Sequence, residues 1–268
     1  MNQAVLGRAI AAVGLVLGFV AIFVKFASEG DVSAKYSDDG TVMAFLLVAL
    51  ILTAMFLAAS LGGRDDLDMA AAVTGSAASG FFLFIPSAYG FNHFDIIDTG
   101  GWLGVCSGLI PLGLLYSRAG RPRPVARPPL ELAMPVIVGR ICCLVAIWLT
   151  AESSTSYWNL IDQGRAIPAL MLLLVIGGGV LGMATSYRPR THLTADAVLI
   201  LGAVTFGLYE ALLIGNAFDE FGKLGTGAWL GSAGAAVLLV GVVRLWKAAM
   251  GGAGVRSAAP AVAPPPAA

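Results

Sequence analysis

Gly100-Gly101-Trp102-Leu103-Gly104 returns 127 positions later as Gly227-Ala228-Trp229-Leu230-Gly231. Each copy opens an apolar run that closes on a basic residue, Arg118 in the first and Arg244 in the second. Small residues follow at every fourth position, Gly100, Gly104 and Gly108 against Gly227, Gly231 and Ala235. On a helix that spacing makes one smooth face, against which a neighbouring backbone packs closely in lipid. Trp102 and Trp229 stand at the heads of the runs, where an amphipathic ring anchors at the membrane–water boundary. The pattern predicts an all-α, polytopic membrane protein with an internal duplication.

Composition sets the same bounds. The chain has 268 residues, of which 58% are hydrophobic and only 12% charged, against about 25% charged in ordinary globular chains. Net charge is zero, and no basic patch is interleaved with aromatics, so nucleic acid is not an expected partner. The lipid bilayer is. Three cysteines, two of them adjacent (Cys142 and Cys143), make no disulfide framework. The preference for Ala, Gly, Val and Arg over Lys and Asn fits a high-GC bacterial genome.

Apolar runs long enough to cross about 30 Å of hydrocarbon fall near 5–26, 42–61, 69–89, 101–117, 135–153, 166–186, 196–215 and 227–246. They predict eight transmembrane helices; no run alternates as a strand would. The first run is longer than a signal-peptide core and ends in Val24-Lys25-Phe26 rather than at a small-x-small cleavage site. It is expected to stay as an uncleaved helix. With the N-terminus inside, the inner segments collect Arg8, Arg64, Arg118, Arg121, Arg123, Arg127, Arg140, Arg188, Arg190, Arg244, Lys247 and Arg256. Only Lys25, Lys35, Arg165 and Lys223 lie outside. The positive-inside rule then places both termini in the cytoplasm, and the expected location is a bacterial cytoplasmic membrane.

The duplication reaches beyond the tryptophan blocks. Gly7-Arg8 heads the first run as Gly139-Arg140 heads the fifth; Asp38, Gly40 and Arg64 bracket the second as Asp162, Gly164 and Arg188 bracket the sixth. Four spans per half is an even number, so the two four-helix repeats, 1–117 and 131–250, are expected to lie parallel about an axis along the membrane normal. Residues 118–130 form an Arg/Pro-rich cytoplasmic linker, too rich in proline for helix. The Gly/Ala/Pro tail, 251–268, has little to bury and is expected to be disordered.

Few residues point to chemistry. Glu210 is a carboxylate inside an apolar run, and an ionisable group at depth is a ligand or proton-handling candidate. Tyr209, Thr150, Ser153 and Lys25 are its expected polar neighbours. Arg8 and Arg140 are matched basic residues at inner helix ends, suited to anionic ligands or to snorkelling toward headgroups; Asp68 and Asp196 are within reach as partners. His93 and His192 fall on opposite sides and cannot share a metal, and no ligand spacing accompanies either. Gly225-Thr226-Gly227-Ala228-Trp229-Leu230-Gly231 mimics a dinucleotide loop without the strand that motif needs. No metal, cofactor or catalytic constellation is expected. Thr74-Gly75-Ser76-Ala77-Ala78-Ser79-Gly80 in the third span, followed by Pro86, reads as a tight packing face; in a transporter the same residues would line a cavity beside a broken helix.

These residues fit a non-enzymatic accessory or scaffold component, working through a membrane-protein partner or a second copy of itself. A small-solute transporter or channel is the alternative.

Overall fold

The computed structural model describes residues 2–29, 32–62, 64, 67–89, 94–119, 130–152, 155–160, 166–187, 192–215 and 221–256. Helix α1 (Gln3–Phe23) starts at Asn2, whose side chain accepts from the Ala4 N–H. The chain leaves the helix at Val24 and forms an antiparallel hairpin, β1 (Lys25–Glu29) with β2 (Val32–Lys35). Asp39 then caps α2 (Gly40–Leu61), accepting from the Thr41 and Val42 N–H groups. After α3 (Leu67–Tyr89) come α4 (Thr99–Cys106) and α5 (Leu109–Ala119). The second part of the chain has α6 (Met134–Trp148), the strands β3 (Thr150–Glu152) and β4 (Thr155–Ser156), α7 (Ile167–Tyr187), α8 (His192–Gly215) and α9 (Thr226–Arg256).

Among the described residues, seven helical stretches are long and apolar enough to cross a membrane, α4 and α5 together counting as one, Thr99–Ala119. The run expected at 166–186 is α7, whose apolar stretch Ile167–Met183 is shorter than the others. Large apolar side chains such as Val16, Val48, Met55, Leu173 and Val180 are exposed. In water such a surface would be unstable; in lipid it is the ordinary exterior.

Three features depart from the sequence reading. The first is the pair of short hairpins, where no strand was expected. Lys25-Phe26 and Thr150-Glu152 belong to strands rather than to the ends of the first and fifth spans. Leaving the helix lets the Phe26 carbonyl accept from the Asp98 N–H and the Ala151 carbonyl from the Gly225 N–H, both at 2.9 Å. Backbone groups at the bundle end thereby find partners that a fraying helix would lack.

The second is the interruption of the fourth span at Ser107-Gly108. Pro111 has no N–H, and its ring crowds the carbonyl four residues back, that of Ser107. The break is held by Ser107, fully buried, whose hydroxyl donates to Ser79 Oγ on α3 at 3.1 Å. The third is α9, which runs on to Arg256 and so takes in 251–256 from the stretch expected to be disordered. Residues 257–268, and 120–129 of the expected linker, lie outside the described residues.

α1 packs along α4 and α5, and α6 packs along α9. Glycine makes both contacts close: a Cβ on Gly113 would sit 2.5 Å from the Gly7 carbonyl oxygen, and one on Gly139 would sit 2.5 Å from the Leu238 nitrogen. The centre belongs to α3 and α8, which cross with backbone against backbone. Gly80 faces the Val204 carbonyl, and Gly207 faces the Ala77 carbonyl. Of the apolar stretch of α3, 71% is buried, against 28% for α6. So α3 is a core helix, whereas most of the α6 stretch is left unburied by the rest of the chain.

Candidate functional site

Charges inside the bundle gather at the end opposite the hairpins. Asp68 opens α3 and is 1% exposed; Arg8 on α1 donates to it through Nε (3.1 Å to Oδ1) and Nη2 (2.9 Å to Oδ2). This two-pronged fit of a planar guanidinium on a carboxylate is the strong form of the ion pair. Asp68 also lies in the first turn of its helix, where the backbone dipole favours negative charge.

Asp196, fully buried in the first turns of α8, takes two donors. Arg118 Nε from α5 reaches Oδ2 at 2.5 Å, and Trp246 Nε1 from α9 reaches Oδ1 at 2.8 Å. Three helices are tied at one carboxylate. The sequence reading offered Asp196 to Arg140 instead. That pairing does not form, because α5 packs on α8 and delivers Arg118 there first, while Arg140 turns toward α7. Arg140 Nη2 donates to the Gly178 carbonyl at 2.7 Å, and the guanidinium lies against Gly178, Gly179 and Gly182. Glycines there leave room for the side chain to lie flat on the helix. The matched arginines therefore do unlike work.

Near the hairpin end, Glu210 is partly buried on α8 and accepts from the Ser232 hydroxyl of α9 at 2.8 Å. About five residues separate it from the end of α8, or roughly 7 Å along the axis. Ser232 was not among its expected neighbours. Tyr209, which was, sends its hydroxyl to the Cys143 carbonyl at 2.7 Å and is fully buried. Ser153 lies outside the described residues.

The glycine positions have distinct surroundings. A Cβ on Gly100 would meet the Val24 and Lys25 carbonyls, and one on Gly227 the Leu149 and Thr150 carbonyls. Gly104 faces the Phe82 ring and Gly231 the Tyr209 ring. Gly108 differs: it lies in the break itself, and its added Cβ would meet only the Val105 carbonyl oxygen, at 3.1 Å. It is no part of a packing stripe. Trp102 and Trp229 lie in the first turns of α4 and α9, 45% and 46% exposed. Asp98 caps α4, accepting from the Thr99 N–H at 2.6 Å, and this bond holds its carboxyl below the usual carboxylate range.

Among the described residues, no group of three or more His, Cys, Asp or Glu side chains is placed to hold a metal ion. His93 and the side chain of His192 lie outside them. Compared with known proteins, the chain matches no family, no curated relative and no solved structure.

Proposed function

We propose that this chain is a non-enzymatic component of a bacterial cytoplasmic membrane, an accessory or scaffold subunit that acts through helix contacts and the loops of its hairpin end. The observation carrying this reading is that charged groups within the spans are engaged from one helix to another. Arg8 meets Asp68, Arg118 and Trp246 meet Asp196, Arg140 meets Gly178, and Glu210 meets Ser232. Buried charges used this way fix which helices touch, rather than waiting for a substrate.

Two parallel four-helix repeats and eight traverses, with α7 as the sixth, form part of the proposal. Several paired contacts support it at a nearly constant offset. Phe26 and Asp98 bond as Ala151 and Gly225 do. Tyr36 meets Phe82 edge-on at 5.0 Å, and Tyr157 meets Tyr209 likewise at 6.0 Å. Gly80 and Gly207 face each other's helix reciprocally at the centre, as a two-fold axis between halves requires. The distribution of basic residues supports placing both termini, and the charged end, in the cytoplasm.

A transporter or channel is the second reading, favoured by the interrupted fourth traverse and, separately, by the partly buried Glu210. Transporters of duplicated fold break corresponding helices in both halves, and α9 runs unbroken. Complementation of a deletion strain decides between them. Glu210→Gln keeps an acceptor for Ser232 and removes the titratable proton, so full rescue is expected. Loss of rescue at normal protein level would transfer the case to transport. Affinity purification of the rescuing variant from native membranes then identifies the partner or second copy.

A further inference from the structure

Among the described residues, no carboxylate balances the charge of Arg140. The matched arginine, Arg8, lies on Asp68, whereas Asp196 is held by Arg118 and Trp246. The one acceptor that Arg140 finds among the described residues is the Gly178 carbonyl, at 2.7 Å. That bond occupies one of the five N–H groups of a guanidinium. A cation within an apolar span is costly without an opposing charge.

The side chain is not laid out as a snorkelling one would be, with its head carried to the helix ends. It turns sideways onto α7 at Gly178, about nine residues before Tyr187, or roughly 13 Å along the axis. Gly179 and Gly182 lie beside the head, where a Cβ would stand 3.3 Å and 3.6 Å from Nη1. α6 packs along α9 and only lightly on α7, and Arg140 itself is only partly buried. Toward the middle of the bundle the neighbouring apolar side chains are exposed: Ile141 and Val145 on α6, Ile176 and Leu173 on α7. An unbalanced cation thus stands at the head of a surface suited to acyl chains.

We propose that Arg140 binds the phosphate of an anionic phospholipid whose acyl chains run along Ile141 and Val145 on one side and Ile176 and Leu173 on the other. A guanidinium meets phosphate with two parallel N–H groups, which fixes the headgroup as well as attracting it. The site stands independently of the choice between scaffold and transporter.

Titration of the full chain in mild detergent with phosphatidylglycerol or phosphatidylcholine, followed by native mass spectrometry, tests this. One phosphatidylglycerol should be retained, about tenfold tighter than phosphatidylcholine, whose choline cancels the phosphate charge. Arg140→Gln removes the charged fork, so retention falls about tenfold or more. Arg244→Gln and Lys247→Gln, at exposed cations of the same end, leave it unchanged. Gly182→Asp brings a carboxylate into the groove, and it should weaken retention as Arg140→Gln does while raising thermal stability. Should either variant not fold, the other decides. On the wild type, a phosphatidylglycerol with a diazirine in its acyl chain should label the peptides holding residues 141–145 and 173–176. Unchanged retention in folded Arg140→Gln protein, or labelling confined to other helices, overturns the proposal. Release of the lipid by an excess of inorganic phosphate gives the site to a soluble anion and overturns it too.

Discussion

Gly207→Ala adds one methyl group where α3 and α8 cross. Its carbon would sit 2.8 Å from the Ala77 carbonyl carbon and 3.0 Å from the Phe81 nitrogen, with the Ala77 oxygen closer still. Non-bonded carbons rest at about 3.5–4.0 Å, so clearing that carbon alone parts the helices by roughly 0.7–1.2 Å. A gap of that width forfeits a quarter to a half of each contact's attraction. Over on the order of 50 atom pairs worth about 0.1–0.2 kcal/mol each, the loss is about 1–5 kcal/mol. Alanine returns about 1 kcal/mol in helix propensity. The net expectation is about 2 kcal/mol, a fall of roughly 30-fold in the ratio of folded to unfolded protein. Unfolding by sodium dodecyl sulfate in mixed micelles, followed by circular dichroism, measures it. Gly177→Ala is the control, since a Cβ there meets nothing within 4 Å, and it should gain stability. Combining Gly80→Ala with Gly207→Ala should cost less than the sum, because one separation accommodates both methyl groups. A Gly207→Ala protein as stable as Gly177→Ala, or strict additivity in the double variant, would refute the close crossing.

Asp196→Asn should lower the detergent unfolding midpoint sharply, by about 3–5 kcal/mol, because it leaves the Arg118 charge facing a neutral amide; Arg118→Met with Asp196→Leu should recover much of that loss. Unchanged stability of the single variant would show that the three-helix tie contributes nothing. The Asp98 cap should fail in acid: its carboxyl titrates below the ordinary range in the folded chain, so its contribution is complete above the unfolded value and disappears as pH falls through the folded one. The protection of the Thr99 amide, its exchange rate relative to that of a free amide at the same pH, should fall below the usual carboxylate range, and in Asp98→Asn it should not respond to acid; a wild-type protection that does not change with acid contradicts the bond. For orientation, single cysteines at Ser37 and Arg121 in a cysteine-free background should react with an impermeant thiol reagent in intact cells at 37 and not at 121. The opposite pattern reverses the proposed topology.

The helices were readable because hydrocarbon thickness imposes a length that few other structures need. Their interruptions were not. Pro111 was visible, but proline is common in membrane helices, and nothing local says that Ser107 will be anchored by Ser79. The strands were hidden because Phe26 and Ala27 continue an apolar run whose period carries no break. Partners of the charged residues depend on which helices touch, and the sequence gives only distance along the chain. Arg8 with Asp68 was within reach of that reasoning. Arg118 with Asp196 was not, since it joins helices from different parts of the chain. Ser232 was masked by its small neighbours, where Gly231 and Ala233 read as a packing face and a hydroxyl passes unnoticed. The polar face around Thr74–Gly80 did announce close packing, and it holds one side of the central crossing, Ala77 and Gly80.

The tie at Asp196 also orders events at the ribosome. Arg118 is synthesised 78 residues before the carboxylate that receives it, and Trp246 follows 50 residues after that carboxylate. At about 5–20 residues per second, roughly 4–16 s pass between the cation and its counter-ion. During that interval α5 is already made, and its final partner has yet to enter the bilayer. The insertion machinery must therefore receive an unfinished bundle whose charged corner closes only when α8 arrives and locks only when α9 does. A nascent chain stalled before residue 196 would present Arg118 at that end of the bundle without Asp196, a mark that separates a half-made molecule from a finished one.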